Sequence, residues 1–111
     1  MSALLSAFPS AVDADVDETP ASIPNARKLR SVHMNNTHNA VVYLQVHNVS
    51  PTLGTTVPII SIPLAPGANN ITLPEGGLVI NEAGGIWIAC TAGQSNAVAP
   101  GATVLGQITW S

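Results

Sequence analysis

Formal charge is what this 111-residue chain lacks most. Only 8% of its residues are Asp, Glu, Lys or Arg, against roughly a quarter in an average globular domain. The deficit is uneven. Four of the six acids, Asp13, Asp15, Asp17 and Glu18, stand in one short run, and all three basic residues, Arg27, Lys28 and Arg30, follow closely. From Ser31 to Ser111 the only formal charges are Glu75 and Glu82. Soluble surfaces usually mix both signs, which keeps neighbouring molecules apart. This stretch uses Asn, Thr, Ser, Gln and Gly instead. A neutral amide or hydroxyl is far easier to desolvate than an ion, so the pattern reads as a surface held against other protein.

Other absences exclude whole classes. A single cysteine, Cys90, rules out an intrachain disulfide framework. The net charge of −3 and the lack of a basic stripe argue against nucleic acid as a partner. No apolar run approaches the ~18 residues of a membrane-crossing helix, so no membrane partner is expected. The N-terminal ALLSAF has some leader character, but no Lys or Arg precedes it and the run is short, so it is not read as a signal peptide.

Chemistry is equally sparse. Glu75 and Glu82 each sit in a Gly-rich turn and read as solvated acids, not as members of a tuned acid–base pair. His33, His38 and His47 lack the tight pairing with Cys or carboxylate that zinc sites show. Cys90 shares strand parity with Ile86 and Ile88 and reads as core. Gly76-Gly77 and Gly84-Gly85 have neither the Lys nor the helix of a phosphate loop. The expectation is a non-enzyme, with no catalytic residue, metal or cofactor.

What is present is a β pattern. From Ala26 onward, short runs rich in Val, Ile and Thr alternate with Gly, Pro and Asn turns. Strands are predicted at Arg27–Met34, Val41–His47, Val57–Leu64, Asn70–Leu73, Leu78–Ile80, Ile86–Thr91 and Thr103–Trp110. In the second, Val42, Leu44 and Val46 share one face, while Tyr43, Gln45 and His47 share the other. Pro58 and Pro63 remove ladder donors and place the third strand at a sheet edge or in a bulge. The last strand is expected inside a sheet or clamped by a neighbour. The fold class is all-β: an antiparallel, jelly-roll-like β-sandwich of about seven short strands over residues 26–111. Residues 1–25, punctuated by Pro9, Pro20 and Pro24, read as an extended N-terminal arm.

The body also resembles a known group. The strand Tyr43-Leu44-Gln45-Val46-His47 followed by Asn48, the stretch Thr56–Pro63, the turn into Gly77-Leu78-Val79-Ile80, and a Gly-Ile-Trp-Ile-Ala strand ending at Thr91 resemble small structural proteins of tailed bacteriophages. The likeness spans Ala40–Gly93 and leaves the arm outside. It implies a head-decoration (cement) protein located on the virion's capsid surface. Such a protein binds over junctions of the major capsid protein and stabilises the head, with copies of itself as a homotrimer. A tail or neck component, or a receptor- or glycan-binding β-module, is the alternative. No active site transfers. Contact is expected at Asp13, Asp15, Asp17 and Glu18 of the arm, at Arg27, Lys28 and Arg30, and at the rings of Tyr43 and Trp87, since Trp and Tyr are enriched in contact hot spots.

Overall fold

The structure is a computed structural model that describes residues 2–5, 21–52, 54–94 and 104–111. These form nine strands: β1 (Ser2–Leu5), β2 (Ala21–Ile23), β3 (Lys28–Asn36), β4 (Val42–His47), β5 (Ile60–Leu64), β6 (Gly67–Thr72), β7 (Leu78–Val79), β8 (Ile86–Thr91) and β9 (Val104–Trp110). One short 3-10 turn spans Pro74–Gly76. The first sheet runs β1-β9-β3-β6, with β7 also on β3; the second runs β2-β8-β4-β5. Without the two-residue β7, the remaining strands counted in chain order give 1-8-3-6 and 2-7-4-5. That is the order of a jelly roll, a double-sheet sandwich wound from Greek keys. All pairings are antiparallel.

This winding sorts the connections between two ends of the sandwich. The links β2–β3, β4–β5 and β6–β8 meet at one end. There the Ile80 and Asn81 N–H groups donate to the Arg27 carbonyl at 2.8 and 3.1 Å. The Asn81 amide reaches the Asn48 carbonyl at 3.2 Å. The links β1–β2, β3–β4, β5–β6 and β8–β9 leave from the opposite end, where Leu5 pairs with Gly106, and Gly106 with Met34.

Period-two alternation puts one apolar face of each sheet inward. Leu29, Val32, Met34, Val104 and Ile108 of the first sheet are buried, as are Val42, Leu44, Val46, Ile62, Leu64, Ile86, Ile88 and Cys90 of the second. Each such aliphatic side chain contributes about 1.5–3 kcal/mol by leaving water. Trp110 packs partly buried against this core. Gly106 lets β9 lie close on β3: a Cβ there would stand 2.0 Å from the His33 carbonyl oxygen.

Three asparagines clamp the turns. The Asn36 amide donates to the carbonyls of Ala40 and Leu64, both at 2.9 Å, and so ties the first sheet to the second. Asn69 takes the Ala65 N–H at 3.0 Å and donates to the carbonyls of Ala65 and Gly67. Asn81 donates to Gly84 and Gly85 and accepts from the Ala83 N–H. Part of the neutral polar composition is thus spent inside the fold.

The predicted strands fall close to the observed ones, and Ile86–Thr91 coincides. β5 lies at a sheet edge and β9 between β1 and β3, both as the sequence suggests. β5 starts at Ile60 because the preceding residues turn, with the Thr55 and Thr56 N–H groups donating to the Thr52 carbonyl. The segment read as an arm differs in part. Ser2–Leu5 and Ala21–Ile23 are strands of the two sheets, and Ile23 is buried in the core. Pieces of four and three residues are too short to display an alternation. The run Asp13, Asp15, Asp17 and Glu18 lies outside the described residues.

Candidate functional site

The five charged residues among those described collect at one end of the sandwich. Arg27 precedes and Lys28 opens β3, and their N–H groups donate to the Ser111 carbonyl at 2.8 and 2.9 Å. Arg30 follows, and its carbonyl accepts from the Leu73 N–H at 2.9 Å, which sets the turn carrying Glu75 beside it. Glu75 has φ 56°, ψ 37°, the left-handed conformation that this tight turn imposes. Its side chain and that of Glu82 are exposed.

The three cations are exposed too. A Cβ at Gly77 would stand 3.2 Å from Arg30 Cγ and 3.3 Å from Lys28 Cβ, so both stems rise beside the same glycine. A shallow groove of about 230 Å³ is lined by Arg27, Lys28, Val79 and Glu82. A second, of about 300 Å³, is lined by Arg30, Ser31, His33, Thr72, Leu73, Gly76 and Thr109. Arg30, the hydroxyls and the imidazole make that second groove rich in donors, with no acid among its lining residues. Leu78 and Val79, paired with Leu29 and Lys28, leave apolar surface exposed next to the cations.

Beyond this end, the outer face of the first sheet is neutral. His33, Asn35, Asn70, Thr72 and Gln107 are exposed there. His33 Nδ1 and Asn70 Oδ1 are 2.9 Å apart, and the Ser31 and Thr109 hydroxyls bond each other.

Tyr43 and Trp87 share the outer face of the second sheet but do not meet. Tyr43 is paired with Thr91, and Trp87 with His47, at opposite ends of the β4–β8 ladder. Both are half-buried. The Trp87 ring lies over Gly85, where a Cβ would be 3.2 Å from Cη2. Much of that ring therefore packs on its own chain.

Between them lies a buried polar chain that the alternation alone did not reveal. The Thr91 hydroxyl donates to the Gly93 carbonyl at 2.7 Å. Gln45 Nε2 donates to Thr91 Oγ1 at 2.7 Å, which turns Gln45 Oε1 toward His47 Nε2 at 3.0 Å. His47 therefore carries its proton on Nε2 and leaves a bare lone pair on Nδ1, which has no partner among the described residues. Burial pushes the His47 pKa down and the Cys90 thiol up to about 12.

The three histidines are thus separated: His33 on the first sheet's outer face, His38 in the β3–β4 turn with its N–H on Asn36 Oδ1, and His47 buried on the second sheet. Among the described residues no group of three His, Cys, Asp or Glu is placed to hold a metal, and no helix is long and apolar enough to cross a membrane. Comparison of the chain with family models, curated proteins and solved structures gives no match.

Proposed function

We propose that the chain is a virion structural protein, a capsid decoration protein that seats on junctions of the major capsid protein as a homotrimer and stabilises the head. The observation that carries this reading is the segregation of charge. All five charged residues among those described stand at one end, which leaves a broad sheet face of neutral side chains that lose little on desolvation. The jelly roll itself is a fold used by viral capsid proteins, and also by lectins and cupins, so it supports the class without selecting the partner. The resemblance of residues 40–93 to small bacteriophage structural proteins favours a virion component, with a head decoration protein as the first reading and a tail or neck component as the alternative. Many modest contacts, repeated over the copies on one particle, would supply the holding strength.

The test is reconstitution. Phage heads lacking the protein are mixed with the purified chain, and bound copies are located by particle imaging. Density over capsid subunit junctions and a raised temperature of head rupture are expected. Empty junctions at saturating protein would overturn the proposal.

A further inference from the structure

Among the described strands, four stand at sheet edges, and one of them is unguarded. β1 and β2 are four and three residues long. β5 carries Pro63, and its Ser61 hydroxyl donates to the Gln94 carbonyl. β6 has six residues, none of them charged or proline, and its register on β3 is unbroken. An edge usually carries a charge, a proline or a bulge, because its unpaired N–H and C=O groups are a template for another strand.

The free groups of β6 follow from one bond. The Leu73 N–H donates to the Arg30 carbonyl at 2.9 Å, and the same register sets Ile71 on Val32 and Asn69 on Met34. Bonded pairs alternate with non-bonded ones along an antiparallel ladder. Leu73, Ile71 and Asn69 therefore use their N–H and C=O groups on β3, while Ala68, Asn70 and Thr72 aim theirs off the sheet. The side chains of these last three are exposed.

We infer that β6 is a self-pairing edge: two copies of the chain join β6 to β6, antiparallel, about a two-fold axis at Asn70, so that their first sheets become one. The strand is its own complement. When Asn70 faces Asn70 of the second copy, Ala68 faces Thr72 and Thr72 faces Ala68. Each free N–H then meets a free C=O, with two bonds in each of the three pairs. Pro66 and Pro74 stand four residues to either side of Asn70. They meet each other across the junction, and neither has an N–H, so pairing stops at both ends together. No like charges are opposed, since the facing side chains are neutral and the two Glu75 residues fall at opposite ends of the junction. Ile71, partly buried against the core, is covered further by Asn69 of the second copy. A two-fold contact uses one patch twice, so it is separate from the junction that closes a trimer, and on a particle it links copies of neighbouring trimers. The pairing stands whether or not the capsid reading does.

Cysteine placement tests the register. Facing residues of a bonded pair have Cα atoms about 5.5 Å apart, inside the disulfide range of about 4.4–6.8 Å. The whole chain is prepared as Asn70→Cys, Ala68→Cys and Thr72→Cys, and dimers linked in a glutathione redox buffer are read on non-reducing denaturing gels. The native Cys90 is buried and stays silent. Asn70→Cys should link at least about tenfold faster than either other variant alone, because two copies of Ala68, or of Thr72, lie about 13 Å apart along the strand. An equimolar mixture of Ala68→Cys and Thr72→Cys should link fast, as a mixed dimer. Adding Thr72→Pro to Asn70→Cys removes a free N–H and leaves the ladder to β3 alone, so linking should fall to background while the urea unfolding midpoint shows the fold intact. Equal rates for the three single variants would overturn the pairing. So would a mixture no faster than its components, or a folded proline variant that links undiminished. None of these results bears on capsid binding, which head reconstitution decides.

Discussion

The two sheets carry similar alternation in sequence and end with different outer faces. In the first, β3 exposes its outward residues, among them His33 and Asn35, while Val32 and Met34 are buried. In the second, β4 and β8 are buried on both sides: Gln45, His47, Ala89 and Thr91 on the outer face are as inaccessible as Leu44 and Ile88 on the inner. Periodicity reports which residues share a face, but not whether that face meets water. The second sheet holds polar side chains in a covered position, so they must bond one another. The first leaves them to solvent, where bonds such as that between His33 and Asn70 add little.

Three measurements probe this contrast. The largest effect is expected at the place where the first sheet is tightest. Gly106→Ala puts a methyl carbon 2.0 Å from the His33 carbonyl oxygen and 2.8 Å from Met34 Cα, so β9 must move off β3. The expected loss is about 3 kcal/mol or more in urea unfolding. Gly67→Ala, which meets nothing within 4 Å, should cost about 1 kcal/mol from its positive φ alone. Equal losses would mean that close approach is not what Gly106 provides.

Next comes the outer face itself. Gln45→Leu removes the amide that links Thr91 to His47 and leaves buried polar atoms without partners, for about 2–3 kcal/mol. Adding His47→Leu should recover part of that loss, since the Nε2–H left without its acceptor is then gone as well. His33→Ala on the exposed face should stay within about 0.5 kcal/mol. Comparable losses at Gln45 and His33 would erase the distinction between the sheets.

How much of this was legible beforehand follows from the same distinction. Alternation placed Val42, Leu44, Val46, Ile86, Ile88 and Cys90 on core faces, and Pro63 marked β5 as an edge, because both signals depend only on local backbone geometry. β1 and β2 escaped because their pairing is long-range and their lengths are too short to carry a period. The Asn36 clamp lies on the inward parity of Val32 and Met34, and a lone amide there was the available hint. The site was legible as two charge clusters in sequence. That Arg27, Lys28 and Arg30 share one end of the sandwich with Glu75 and Glu82 was not, because it depends on how the strands are wound.

The smallest effect expected is a pH dependence, and it is specific to His47. Its neutral ring donates from Nε2 to Gln45 Oε1, so a second proton would fall on Nδ1, which has no acceptor among the described residues. Its described neighbours on β4 and β8, Gln45, Trp87 and Thr91, are uncharged, so nothing there offsets the lost hydration of a cation. Burial therefore lowers the pKa in the folded state below the ordinary 6.5. Above that value neither state binds the proton, and stability is at its full level. As pH falls through 6.5 the unfolded chain takes up a proton that the folded chain refuses, so stability declines. The loss should grow as pH falls below 6.5 and level off once the folded chain also takes up the proton. It should be missing from the pH profile of His47→Gln, whatever that variant's stability at neutral pH. Unfolding curves across the range decide it: parallel slopes in the two proteins would mean that His47 accepts its proton in place, and that the second sheet's outer face is wetter than its burial implies.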